Sequence, residues 1–259
     1  MHRHDHSHVE ISGRRIEVRT IEGDPGRPTL VFLHEGLGSV AMWRGFPARV
    51  AEVTSCPALV YSRYGYGSSD LLEAPFAVDY MHREAQEMLP ELLAKLEIEC
   101  PILIGHSDGA SIALIYAGSH DGAVRGLVAL APHIFVEDLS VRSIEEAKVA
   151  FETTDMQKKL ARYHADAHRT FYGWNGIWLH PDFRRWNIEA YLPRIRCPVL
   201  AVQGVDDEYG TMAQIETIAA RVAGPCELVK IEACGHRLHR DQHDLTLDAI
   251  ARFIARIAP

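Results

Sequence analysis

Short runs of consecutive apolar, largely β-branched residues recur along the chain, at 29–34, 58–62, 102–105, 127–131, 199–204 and 228–231. Unbroken apolar character predicts strands buried on both faces, as in a parallel sheet. Between most of these runs the apolar spacing shifts to three and four residues. Met81, Ala85, Met88, Leu92 and Leu96 share one face of a predicted helix over 80–96, with Asp79 as its cap. Pro90 predicts a kink or break in that helix, because it lacks an N–H and its ring crowds the preceding turn. Further helices are predicted over 108–118, 212–222 and 242–257. Ahead of them, residues 9–21 alternate apolar and polar positions around Ser12-Gly13, the pattern of an antiparallel hairpin. Strands alternating with helices define an α/β class with a doubly wound, mostly parallel sheet and right-handed crossovers.

One stretch breaks the alternation. Between Pro132 and Pro198 lie about 65 residues without a strand candidate, too many for a loop in a compact domain. Phe135, Phe151, Tyr163, Phe171, Tyr172, Trp174, Trp178, Phe183, Trp186 and Tyr191 give it an aromatic, helical composition. The expected organisation is a core of residues 9–132 and 198–259 with a helical cap, 133–197, inserted into it. Residues 1–8 are expected to be a disordered, histidine-rich tail.

Composition narrows the function classes. The 259 residues carry a formal charge of −8, which disfavours a nucleic-acid partner through the average field. No apolar run approaches the ~20 residues that span a bilayer. Residues 1–10 lack the apolar stretch of a secretory signal. The reading is a cytoplasmic protein with a small-molecule substrate and neither a nucleic-acid nor a membrane partner. Cys56, Cys100, Cys197, Cys226 and Cys234 are odd in number and scattered without a CxxC pair, as expected of reduced thiols. His2, His4, His6 and His8 alternate, but nothing near them fixes a coordination geometry, so no metal is expected there. Gly65-Tyr-Gly67 and Gly36-Leu-Gly38 lack the spacing of a dinucleotide loop and read as turns, and no cofactor is expected.

The strongest chemical signal is Gly105-His-Ser107-Asp-Gly109, a GxSxG set between a predicted strand and a predicted helix. A serine on that turn projects its hydroxyl out of the sheet. The two glycines permit backbone to approach backbone, and the new helix points its N-terminal N–H groups at developing negative charge. A serine hydroxyl is a poor nucleophile until a base accepts its proton. His236 follows the last strand and is the candidate, with His239 and His243 as rivals further along. His106 is read as a packed histidine turned away from the site. Asp206, Asp207 and Glu208, after the strand at 199–204, offer the carboxylate that a histidine base needs.

Four motifs occur in the order used by the α/β-hydrolase family, which the chain resembles from about Val9 to Ile257. His34-Glu35-Gly36-Leu37-Gly38 is similar to the family's oxyanion loop, and Arg63-Tyr-Gly65-Tyr-Gly67-Ser-Ser-Asp70 resembles its arginine- and glycine-rich turn. The GxSxG turn is third, and the loops carrying Asp207 and Gly235-His236 are the last. The resemblance implies an α/β-hydrolase fold with a lid after Pro132 and a Ser107–His236–Asp207 triad. The family's spacing favours Asp207 over Asp206. It also implies an oxyanion hole made by the N–H of Asp108 and that of Gly36 or Leu37, with Gly36 the better match. Glu35 departs from the family, standing where a glycine is usual.

The implied activity is hydrolysis of a small carboxylic ester through an acyl-enzyme. Amide, thioester and carbon–carbon bond hydrolysis use the same triad, so the fold alone does not choose among them. A synthase or lyase, or a ligand receptor on a hydrolase scaffold, are the alternatives of other classes. Ser107 stands where relatives that cleave haloalkanes or epoxides carry an aspartate. Glu35, Trp174 and Trp178 are the candidate substrate-binding residues, and Trp186 is expected in the cap's own core. The Gly-His-Ser-Asp-Gly elbow is also similar to that of a family member whose corresponding aspartate holds the substrate's amino group. By that resemblance Asp108 makes amino-acid esters candidate substrates. Glu35 has a simpler reading, as a partner for Arg63.

Overall fold

All four side chains of strand β3 (Leu30–Leu33) are buried, which places this run near the middle of a sheet covered on both faces. The computed structural model describes residues 4–258. Before β3 come β1 (His4–Ile11) and β2 (Arg14–Ile21); after it come α1 (Phe46–Thr54), β4 (Ala58–Tyr61), α2 (Tyr80–Arg83) and α3 (Leu89–Lys95). The chain continues through β5 (Ile102–His106), α4 (Asp108–Ser119), β6 (Gly126–Leu130), α5 (Asp138–Thr153), α6 (Met156–Leu160) and α7 (Ala167–Trp178). It ends with β7 (Val199–Gly204), α8 (Ala213–Arg221), β8 (Cys226–Ile231), α9 (Leu238–Asp241) and α10 (His243–Ile257). The strands form one sheet in the order β1-β2-β4-β3-β5-β6-β7-β8. Only β1 with β2 and β2 with β4 pair antiparallel.

Residue parity divides the core. Val31, Leu33, Leu59, Leu103, Ala129 and Ala201 face one side of the sheet, with α3, α4 and α8. Leu30, Phe32, Val60, Ile104, Leu130 and Val202 face the other, against α1 and α10. Burial on both faces is why these strands read as unbroken apolar runs. The chain goes from β3 to β4 on one side, then crosses to β5 on the other. That reversal opens a crevice at the carboxyl ends of β3 and β5, where ligands bind in open α/β sheets.

The expected tail and the expected Asp79 cap are corrected, and the break predicted at Pro90 takes a specific form. The segment expected as a disordered tail is a strand from His4 onward, paired along β2 from His4↔Ile21 to Ile11↔Arg14. Pairing uses backbone groups and needs no apolar side chains. His6 and His8 add bonds to Glu17 and to Ser68, at 2.6 and 3.0 Å. Residues 1–3 lie outside the described residues. The helix expected over 80–96 is two α-helices joined by a π-helical stretch, Glu84–Met88. The wider turn falls just before Pro90, whose missing N–H would have interrupted a regular α-helix. Asp79 precedes the first helix without a side-chain capping bond.

The segment between β6 and β7 is helical, and its two ends are pinched together where Phe135 bridges Asn187. It docks on the glycine-rich turn through polar contacts. His164 accepts from the Gly67 N–H at 3.0 Å and donates to the Leu37 carbonyl at 2.9 Å. The Ala165 N–H donates to the Gly67 carbonyl, and Thr170 Oγ1 to that of Gly65, both at 2.8 Å. Burial lowers the His164 pKa and keeps the ring in the neutral form this clamp requires. No helix among the described residues is long and apolar enough to cross a membrane.

Candidate active site

β5 ends at His106, and Ser107 turns the chain into α4 with φ 53° and ψ −120°. A non-glycine residue in that region is strained and persists only where its surroundings enforce it. The Ser107 N–H donates to the Leu130 carbonyl at 2.9 Å, extending the sheet by one bond. A Cβ on Gly105 would lie 2.3 Å from the Gly109 carbonyl oxygen, and one on Gly109 would lie 2.1 Å from that of Leu33. The two glycines thus let α4 begin directly against β3 and β5. The Ser107 hydroxyl has no intramolecular hydrogen bond among the described residues.

Of the three acids after β7, Asp207 is buried while Asp206 and Glu208 are exposed. His236 Nδ1 lies 2.9 Å from Asp207 Oδ1 and 3.1 Å from Oδ2. With Nδ1–H donated to Asp207, Nε2 is the ring's free lone pair. Burial alone would raise the Asp207 pKa, but the His236 charge and hydrogen bond outweigh it and the value is lowered. Burial would correspondingly lower that of His236, and the Asp207 carboxylate raises it instead. Gln203, which the sequence reading passed over, donates from Nε2 to Asp207 Oδ2 at 3.2 Å and to the Gly210 carbonyl at 2.7 Å. Its signal was present: it is the one polar side chain in the buried run VLAVQG. Glu208 accepts the His236 N–H at 3.0 Å. His239 packs on Trp43, and burial pushes its pKa down to about 3; His243 bonds Asp244. His106 is buried and packed as expected, yet its Nε2 donates to the His236 carbonyl at 2.8 Å, which joins the end of β5 to the loop of His236.

The loop after β3 is held by its own histidine. His34 donates from Nδ1 to the Glu35 carbonyl at 2.7 Å and accepts the Arg63 N–H on Nε2 at 3.0 Å. Burial lowers its pKa strongly, consistent with a neutral ring that does both. The N–H groups of Gly36, Leu37 and Asp108 have no hydrogen-bond partners among the described residues. A Cβ on Gly36 would sit 2.0 Å from the Trp174 indole nitrogen, so α7 lies directly on this loop. Gly36→Ala is therefore expected to lower kcat about tenfold or more by displacing the loop or the helix. Adding Trp174→Leu to Gly36→Ala should recover part of that loss, and steady-state kinetics of the single and double variants measure both effects.

Two placements differ from the sequence reading. The Glu35 carboxylate is turned to His106, with Oε2 3.5 Å from Nδ1, and does not pair with Arg63. Arg63 instead donates to the Glu35 carbonyl at 2.9 Å and lies 3.8 Å from Asp108 Oδ2. Asp108 is 1% exposed and accepts from the Tyr80 hydroxyl at 2.6 Å, while Trp178 donates to that hydroxyl at 3.2 Å. Burial raises the Asp108 pKa above its ordinary value against the pull of Arg63 and Tyr80. Trp178 also packs edge-on against His133, whose ring centroid is 5.7 Å from that of His236. Trp186 stacks on Phe183, and its ring centroid lies 6.5 Å from that of Trp178.

The chain belongs to the alpha/beta hydrolase family, whose model matches residues 30–249. A human protein described as serine hydrolase BPHL is 29% identical over 148 residues, covering 55% of this chain and 50% of that protein. A 2-succinyl-6-hydroxy-2,4-cyclohexadiene-1-carboxylate synthase of Enterobacter sp. (strain 638) is 30% identical over 128 residues, covering 49% of this chain and 46% of the synthase. The chain thus spans about half the length of these curated relatives. Among solved structures, a membrane phospholipase A described as a bacterial virulence factor superposes with a TM-score of 0.78 at 19% identity. That match covers 98% of this chain and 86% of the phospholipase, and it speaks to the fold.

Proposed function

We propose that the protein is a serine hydrolase cleaving small carboxylic esters through an acyl-enzyme. The observation that carries this reading is a serine strained at φ 53°, directly after a histidine bonded to the His236 carbonyl, with the His236 Nδ1 taken by a buried aspartate. In the first half-reaction, Ser107 Oγ attacks the ester carbonyl while His236 Nε2 takes its proton. The N–H of Asp108 and that of Gly36 hold the oxyanion. Collapse expels the alcohol, which receives the proton from His236. In the second, His236 deprotonates a water, which attacks the acyl carbon; Ser107 leaves with the proton, and the acid is released. Asp207 fixes the ring orientation and balances the imidazolium in both halves. Each oxyanion donor contributes roughly 3 kcal/mol of transition-state stabilisation. Trp174 over the oxyanion loop favours substrates with an aromatic or bulky apolar group.

Asp108 supports a second reading, recognition of an α-amino ester, through its unpartnered, buried Oδ1. Arg63 already balances its charge, however, and an incoming ammonium would compete with that guanidinium. A matched pair of esters, one with a free α-amine and one N-acetylated, separates the readings. The expected kcat/KM values agree within about threefold, since a neutralised carboxylate gives an ammonium little net attraction. A clear preference for the amine that Asp108→Asn erases would make amino-acid esters the substrates.

A further inference from the structure

We propose that Glu35 and His106 are a positioning pair that ties the loop carrying His236 to the loop carrying the oxyanion donor, so that base and donor hold one geometry around Ser107. The proposal rests on the serine-hydrolase reading above. His236 is anchored at three points: its ring by Asp207, its N–H by Glu208, and its carbonyl by His106. The bond from His106 is the only one to that carbonyl among the described residues. It comes from the residue directly before Ser107, so displacement of the base is resisted by the strand that carries the nucleophile.

The other ring nitrogen of His106 faces Glu35. Nδ1 is buried without a hydrogen-bond partner, and the Glu35 carboxylate faces it with Oε2 at 3.5 Å. Among the described residues, the aromatic rings packed near it are Trp43, His236 and His239. The carboxylate reaches this position by curling over Gly38, where a Cβ would lie 2.5 Å from Oε2. Meanwhile the Glu35 carbonyl accepts from His34, Arg63 and the Gly38 N–H, at 2.7, 2.9 and 3.0 Å. One residue thereby shapes the loop with its backbone and meets His106 with its side chain. A glycine at 35 would shape the loop without that link. The neighbouring His106 and His239 hold the Glu35 carboxyl well below the usual carboxylate range against the upward push of burial, so it is ionised at neutral pH.

The test compares wild type with His106→Phe, His106→Gln, Glu35→Gln and the Glu35→Gln/His106→Phe double variant. Three quantities are read: kcat and KM on an ester the wild type turns over, the rate of Ser107 labelling by a fluorophosphonate, and Tm. His106→Phe should lower both kcat and the labelling rate by about 10–100-fold with KM within about threefold, because it misplaces the base without touching substrate. His106→Gln restores a donor for the His236 carbonyl and should recover to within about fivefold of wild type. Glu35→Gln should cost about 3–10-fold alone and nothing further in the His106→Phe background, the non-additivity of residues that act as a unit. Wild-type labelling rates in folded His106→Phe, or a glutamine variant as slow as the phenylalanine one, would overturn the proposal. Unchanged labelling in Glu35→Gln overturns it too, without a substitution in the buried core. A wild type that the fluorophosphonate does not label refutes the hydrolase reading itself.

Discussion

Ser107→Ala is expected to end the proposed ester turnover, with kcat reduced by roughly 10⁴–10⁶-fold, while Tm stays within a few degrees of wild type. The substitution removes a single oxygen that makes no hydrogen bond among the described residues, so none of them loses a partner. The positive φ at 107 strains alanine as it strains serine, and the folded state therefore gains no new penalty. Under the proposed mechanism, residual catalysis would come from binding and the oxyanion donors, which the variant keeps. Hydrolysis of p-nitrophenyl esters measures the loss, and thermal unfolding followed by circular dichroism measures the fold. Activity near wild type in the alanine variant would exclude the acyl-enzyme.

Asp207→Asn is expected to lower kcat by about 10⁴-fold, because an amide facing Nδ1 favours the wrong tautomer and cannot balance an imidazolium. Asp206 is exposed and off the ring, so Asp206→Asn should change kcat by less than about threefold. The pH profile gives a second, signed readout. In the wild type the Asp207 carboxylate outweighs burial and raises the His236 pKa above its ordinary value of 6.5. Since the base must be neutral, kcat/KM falls on the acid side through a pKa above 6.5. In Asp207→Asn burial acts without that opposition, and the acid limb of the residual activity moves to lower pH. A limb that stays in place would detach Asp207 from His236.

What the sequence made legible follows from how local each constraint is. The turn at Ser107 could be read because its requirements fall within five consecutive residues: two glycines where a Cβ meets backbone, and a serine where a strand becomes a helix. Parallel strands could be read because burial on both faces writes itself directly into composition. Contacts between distant loops leave no such trace. Arg63 could not be matched to Asp108 rather than Glu35 until the crossover set the ends of β4 and β5 on either side of β3. The link from His106 to the His236 carbonyl joins residues 130 positions apart through a backbone atom, which no side-chain pattern records. The first half of β1, before the hairpin expected from residue 9, was missed for a related reason. Its histidines resemble a solvated tail in composition, and its order comes from the backbone of β2.

The clamp formed by His164, Ala165 and Thr170 has a consequence for substitution. Every group it grips on the core is a main-chain atom, of Leu37, Gly65 or Gly67. Recognition of that kind reads the path of the chain and is blind to most side chains along it. The side chain of Leu37 takes no part in these bonds, so its replacement leaves the clamp's hydrogen bonds intact. A point substitution at such a position alters the surface of the chain while the main-chain atoms that seat this helical segment stay in place.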